Sequence, residues 1–177
     1  MIGKGRLNMS EARGTDFEEI YDRFLMVIND YHLNNLAKTN YSAFLKFLKG
    51  LLVNSIDLFD GVLTDLSYED VEIEEVVTDD NGQEKTVIQK KSYFINKLSS
   101  KEISILAMIC VYRWMENKVL DVSQFELHLD TKSFTVKSEQ ANLKQKESVL
   151  NDIREKYMHE ILEYQNQNIE KLPFFGG

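Results

Sequence analysis

Residues 98–115 read Leu98-Ser99-Ser100-Lys101-Glu102-Ile103-Ser104-Ile105-Leu106-Ala107-Met108-Ile109-Cys110-Val111-Tyr112-Arg113-Trp114-Met115, and the fold turns on them. Ser99 and Glu102 form a capping box, in which each side chain accepts a hydrogen bond from the other's otherwise orphan backbone N–H. The run behind the box is apolar on nearly every side. It predicts a helix to about Lys118 that occupies the centre of the core.

Upstream, Thr15 and Glu18 repeat the capping-box pattern, and Phe17, Ile20, Tyr21, Phe24, Leu25 and Ile28 follow at the spacing of one helical face. Asn29, Asp30 and the pair Asn34-Asn35 interrupt it and predict a polar connection. A second helix is predicted from near Asn40 to about Phe59, with Gly61 as its stop. Its apolar set (Phe44, Leu45, Phe47, Leu48, Leu51, Leu52, Val53, Ile56, Phe59) is wider than one stripe. Such a helix is either central or buries a second face against another chain. Gly50 inside it costs about 1 kcal/mol relative to Ala and marks an expected close-packing point.

Between these helices and the central one, residues 71–93 change period from 3.6 to two. Val71 and Ile73 alternate with Glu72 and Glu74, Asn81-Gly82 supplies turn residues, and Thr86-Val87-Ile88 returns. This is a β-hairpin signal. A two-residue turn at Asn81-Gly82 sets Val76 opposite Val87 and Glu72 opposite Lys91, whereas a four-residue loop sets Ile73 opposite Ile88. Two strands alone are marginal in water, so the ribbon packs on the helices, joins a third strand or pairs with a neighbouring subunit.

Downstream of Lys118, Phe125, Leu127 and Leu129 alternate with polar residues, which predicts a short edge strand. A last, long C-terminal helix is expected from Ser138 to Ile169, some 45 Å if continuous. Leu143, Leu150, Tyr157 and Tyr164 recur along it every seven residues, although its first third is almost wholly polar. Pro173 ends it before an apolar Phe174-Phe175 tail. Residues 1–14 read as a mobile arm, 15–172 as one domain and 173–177 as the tail. The fold class is α+β, predominantly α: four main helices with an inserted hairpin.

The net charge of −8 is local. Residues 50–84 hold eleven acids and no Lys or Arg, while the flanking segments are close to neutral. The overall balance argues against a basic surface that grips nucleic-acid phosphates. One Cys excludes an internal disulfide and a Cys-rich zinc site. No signal peptide is expected, and the longest apolar run is far short of the roughly 20 residues of a membrane span, so the chain reads as soluble and without a membrane partner.

Chemistry finds no foothold in the pattern. His32, His128 and His159 fall in three elements with no metal-ligand spacing, and Cys110 sits in the most apolar helix, where a buried, inert thiol is expected. Gly3-Lys4-Gly5 lacks phosphate-loop spacing. An EF-hand register around Gly61 or Gly82 places Ile56 or Val77 where the first oxygen ligand must be. No catalytic, metal or cofactor residues are assigned, and the chain is expected not to be an enzyme. The acids Asp65, Glu69, Asp70, Glu72, Glu74, Glu75, Asp79 and Asp80 form either a solvated, aggregation-resistant edge or a surface that repels DNA or meets a basic partner.

The helix opening Leu98-Ser99-Ser100-Lys101-Glu102-Ile103-Ser104-Ile105-Leu106-Ala107 and closing at Trp114-Met115 resembles the middle of tailed-phage head–tail connector (neck adaptor) proteins. An extended crossing and a long polar helix follow in that family. Phe134 and Ser138-Glu139-Gln140-Ala141-Asn142-Leu143 through Tyr164 match it, and two N-terminal helices precede it. The resemblance covers about two thirds of the chain as a pattern of elements; the simplest members lack a ribbon as long as 71–93. It implies a structural virion protein assembled in the host cytoplasm, a homo-oligomeric ring (commonly twelvefold) between portal and tail or neck proteins. Double-stranded DNA would pass through its channel without specific binding. The acids named above would then line the lumen or face a partner. Leu143, Leu150, Tyr157, Tyr164, Phe174 and Phe175 would be subunit or partner contacts. The alternative is a small helical interaction or regulatory protein that binds a basic partner through 57–84.

Overall fold

A computed structural model describes residues 14–78, 82, 84–129 and 136–171, with side chains described for all of these except 74–78, 84, 85, 87, 121–129 and 136–143. The element order is α1 (Phe17–Val27), α2 (Tyr31–Thr39), α3 (Tyr41–Ile56), β1 (Tyr68–Thr78), β2 (Glu84–Phe94), α4 (Ser100–Leu129) and α5 (Val136–Gln167), closed by a 3-10 turn over Ile169–Lys171. The architecture is α+β and predominantly α, with one more helix than the sequence pattern suggests.

The core is built around α4. Ile105, Leu106 and Ile109 are completely buried, and α1, α3 and α5 all pack against this helix. The capping box forms as expected: Ser99 N–H donates to Glu102 Oε2 at 2.7 Å, and Glu102 N–H donates to Ser99 Oγ at 3.3 Å. The helix does not stop near Lys118; its backbone continues to Leu129, so Phe125, Leu127 and Leu129 are helical and the expected edge strand does not exist. No Gly or Pro stands between Lys118 and Leu129. A five-residue alternation without a breaker does not end a helix.

α1 buries the predicted face, Phe17, Ile20, Tyr21 and Phe24, but its cap differs. Asp16 is the N-cap, accepting from Glu18 N–H at 2.9 Å. Thr15 is drawn inward instead: its Oγ1 accepts from the Leu98 N–H at 2.7 Å. Its backbone pairs with Phe94 and Asn96, and thus ties α1 to β2 and to the entry of α4. Arg23 adds a second tie, donating to the Ser100 carbonyl at 2.7 Å and to the Ser104 hydroxyl.

The expected polar connection at 29–35 is in part the helix α2. Asp30 caps it by accepting from Leu33 N–H at 2.9 Å, and Leu33, Leu36 and Ala37 supply a short apolar stripe. That stripe and cap outweigh the modest helix penalty of two Asn residues. Asn40 then caps α3, which ends at Ile56, three residues short of the predicted end at Phe59. Gly50 is not a packing point. It lies on the exposed side of α3, and a Cβ there would meet nothing within 4 Å.

The hairpin forms, in neither predicted register. Glu72 stands opposite Lys90, Val76 opposite Thr86 and Ile73 opposite Gln89. That register lies one residue from each of the two alternatives, because an odd number of residues separates the last paired positions, Thr78 and Glu84. Gly82 within the loop has φ +76°, the left-handed conformation that glycine adopts without cost. The register keeps Phe94 and Tyr68 on the face that packs on Phe17.

α5 runs back antiparallel along α4. Lys101 near the start of α4 pairs with Glu160 and Glu163 on α5, and the rings of Tyr112 and Tyr157 lie 5.2 Å apart. The described core residues of α4 reach to Val119 and those of α5 begin at Ile153, and the backbone of each helix continues beyond them, to Leu129 and back to Val136.

Candidate functional site

Of the acids from the base-free segment, several are engaged by the chain itself. Asp65 Oδ1 accepts from the Ser67 N–H and hydroxyl at 3.0 and 2.8 Å, a local turn contact. Asp70 accepts from Lys49 Nζ at 2.6 Å and from the Ser92 hydroxyl at 2.7 Å. These bonds, Lys49 first, hold its carboxyl below the usual range. Glu72 faces Lys90 at 3.4 Å in an exposed pair. Glu69 is exposed beside them. Glu74 and Glu75 lie on β1 opposite Ile88 and Val87, and Asp79 and Asp80 fall outside the described residues.

The heptad residues of α5 do not form one surface. Tyr157 and Tyr164 are 6% and 5% exposed and belong to the chain's own core, where Tyr164 packs edge-on against Phe59. They are not free to be partner contacts. Leu150 is half-buried, the Leu143 side chain is not described, and Phe174 and Phe175 lie outside the described residues. Among the described residues, the exposed apolar side chains of α5 are instead Val149, Met158 and Leu162, the last two one helical turn apart.

A cleft of about 610 Å³ lies between the hairpin, the start of α1 and the first half of α3. Phe17, Tyr21, Tyr41, Leu45 and Ile88 give it an apolar lining, and Lys46, Lys49, Lys90 and Lys91 rim it alongside Asp16, Glu18 and Asp70. Tyr41 and Ile88 are more than half exposed. Two of the lysines are committed: Lys49 to Asp70, and Lys91 to Glu18 at 3.2 Å. Burial alone would lower the Lys91 pKa; the Glu18 carboxylate outweighs it and holds the ammonium above its usual range. Sequence reading missed the α3 side of this cleft. The signal for it is Tyr41, Leu45 and Lys49 at i, i+4 and i+8, a stripe beside the buried face.

A smaller cavity of about 270 Å³ lies between α1, α4 and α5, lined by Val27, Ala107, Met108, Val111 and Ile153, with Arg23 and Lys156 at its rim. Cys110 is buried as expected, and burial pushes its thiol up to about 12 despite a hydrogen bond with Ser55. Among the described residues, no group of three His, Cys, Asp or Glu could hold a metal ion, and no helix is long and apolar enough to cross a membrane.

What the cleft shares with the rest of the ribbon is an open strand edge. β1 and β2 form a two-stranded sheet, and among the described residues no third strand lies along either outer side; only the Asp16–Tyr93 bridge covers the base of β2. The direction of the free groups follows from that base. Phe94 N–H donates outward to the Thr15 carbonyl at 2.8 Å, and the Asn96 carbonyl accepts from Thr15 N–H at 3.2 Å, whereas Ile95 N–H turns inward to Ser67. Alternation then points the N–H and C=O of Ile88 and Lys90 outward along the cleft, and those of their partners Glu72 and Glu74 outward on the far side. No protein-family model, curated protein or solved structure matches the chain.

Proposed function

We propose that the chain is a structural subunit that assembles into a homo-oligomeric ring, the neck adaptor between portal and tail of a tailed phage, with double-stranded DNA passing through its channel. The observation that carries this reading is the length of the two helices, 30 residues in α4 and 32 in α5. The backbones of α4 and α5 extend through residues 120–129 and 136–149, about 15–20 Å of helix on the far side of Val119 and Ile153, the outermost core residues described. Helices of this length give a subunit flanked by copies of itself surface on which to pack its neighbours. The exposed Met26, Val27 and Tyr31 where α1 meets α2, and Met158 and Leu162 on α5, support it as apolar positions away from the core. On this reading the acids of β1 would face the channel, where like charge keeps DNA sliding.

Mass photometry over a concentration series, alone and with a purified portal ring, tests the reading. Discrete closed rings, or rings templated by the portal, are expected. A chain that stays monomeric at every concentration and never joins the portal overturns it. Reversing Glu69 to Lys leaves folding intact and slows DNA ejection from assembled particles; unchanged ejection removes the acids from the channel.

A further inference from the structure

We infer that neighbouring copies join through the ribbon itself: the outer edge of β1 in one copy pairs with the outer edge of β2, along the cleft, in the next. The inference rests on the ring reading and names the contact that builds it.

Both edges carry unspent backbone hydrogen-bonding capacity. Each strand is eleven residues long, and among the described residues neither outer side is occupied beyond the Asp16–Tyr93 bridge. Long exposed edges of this kind template further strands unless they are blunted by Pro, bulges or like charge. Neither strand contains Pro, and their Cα pairing runs without interruption from Tyr68–Phe94 to Thr78–Glu84. Neither Pro nor a bulge therefore blocks the outer sides, and the charge each strand carries selects which edge it accepts.

The choice of partner follows from charge. β1 carries Glu69, Asp70, Glu72, Glu74 and Glu75 and no base, whereas β2 carries Lys85, Lys90 and Lys91 against one acid, Glu84, and faces Lys46 across the cleft. A β1 edge against a second β1 edge would set acids beside acids, which is destabilising. A β1 edge against a β2 edge sets acids beside lysines, as Glu72 and Lys90 already are within one copy. Geometry agrees. Copies related by a ring axis keep their strands in the same sense. The incoming β1 therefore runs antiparallel to β2, as the resident β1 does. The contact is head-to-tail and leaves one free edge at each end, so it propagates until a ring closes.

Proline separates edge from ladder. Lys90 and Glu72 aim their N–H groups outward, so Lys90→Pro and Glu72→Pro each remove an edge donor while sparing the β1–β2 ladder, the edge setting in which strands accept Pro. Each variant alone is expected to lose the ring and run as a monomer in mass photometry. Mixed one to one, they should form dimers and nothing larger, because the first keeps a working β1 edge and the second a working β2 edge. In the unmodified chain, the amides of Glu72, Ile88 and Lys90 should exchange hydrogen more slowly in the ring than in dilute monomer. Rings of unchanged size from both variants, or equal exchange in ring and monomer, overturn the strand pairing and leave the ring intact. A chain that forms no ring under any condition overturns both.

Discussion

Tyr164, near the end of α5, donates its phenolic hydrogen to the buried carboxylate of Glu102 in the first turn of α4 at 2.8 Å, and the same oxygen accepts the Leu63 N–H at 3.1 Å. One hydroxyl thus joins three parts of the chain: the last helix, the central helix and the loop after α3. Burial raises the Tyr164 pKa to about 12, with the Glu102 charge adding to it, so the hydroxyl stays protonated at any pH the protein meets.

Tyr164→Phe keeps the ring against Phe59 and deletes only that oxygen. The Leu63 N–H loses its acceptor and Glu102 a donor, each in a poorly hydrated place. The cost of such an orphaned group is about 1–3 kcal/mol, larger than the net value of an ordinary hydrogen bond. For a chain of this length that corresponds to a melting midpoint lower by about 2–4 °C per kcal/mol. Differential scanning calorimetry reads it directly, and an unchanged midpoint would remove the network from the account of stability.

Glu102 makes the same network pH-dependent, with a definite sign. Burial by itself would raise its pKa, but hydrogen bonds from Thr64, Ser99 and Tyr164 outweigh burial and hold the carboxyl below its ordinary value of 4.5. A carboxyl lowered in the folded state contributes stability that is complete above the unfolded pKa and is lost as the pH falls through the folded one. The urea midpoint should therefore fall as the pH drops below about 4.5. Glu102→Gln should be less stable at pH 7 and show a shallower decline over that acid limb. Two parallel curves would show that some other carboxyl governs the acid transition.

These residues also show how far local pattern reaches. Ser99-Ser100-Lys101-Glu102 is a local motif whose partners are three residues apart, and it was legible, as was the buried face Phe17-Ile20-Tyr21-Phe24. Thr15 was misread because its hydroxyl has two suitors, the N–H of its own helix and the distant N–H of Leu98, and only the assembled fold decides between them. The hairpin was legible as a hairpin, but its register was not, since Asn81-Gly82 is compatible with more than one loop length. The cleft had no motif at all. It exists because the start of α3 is brought beside β2 from more than forty residues away.

Two glycines carry opposite expectations. A Cβ at Gly14 would run into the backbone carbonyl oxygens of Phe94, Ile95 and Asn96, none of which is the end of a flexible side chain. Gly14→Ala forces the first strand-like segment off β2 and should destabilise by about 1–3 kcal/mol, the usual range for overpacking. Gly50→Ala fills open space on the exposed side of α3 and should stabilise by about 1 kcal/mol, the helix-propensity difference alone. Chemical denaturation of the two variants side by side gives the comparison. A destabilising Gly50→Ala would mean that this side of α3 is covered in the state measured, as subunit assembly could arrange.

The register can be tested by chemistry at a single pair of positions. Because Phe94 directs its N–H away from β1, the pair Tyr68–Phe94 is of the non-hydrogen-bonded kind, and so by alternation is Glu72–Lys90. Directly opposed Cα atoms in such a pair stand about 4.5 Å apart, within the span of an unstrained disulfide. Glu72→Cys combined with Lys90→Cys should therefore oxidise readily. Glu72→Cys combined with Lys91→Cys matches the register of a two-residue turn and should not, since adjacent positions on β2 place their side chains on opposite faces. The native Cys110 does not interfere: it is buried, and a thiol with a pKa near 12 offers little thiolate to attack. Intact mass under non-reducing conditions, with a thiol count, separates the two variants. Fast closure of the Lys91 pair and none of the Lys90 pair would shift the ribbon by one residue. The outward-facing groups of β2 would then become Gln89 and Lys91 in place of Ile88 and Lys90, so the same measurement also decides which amides are available to a neighbouring strand.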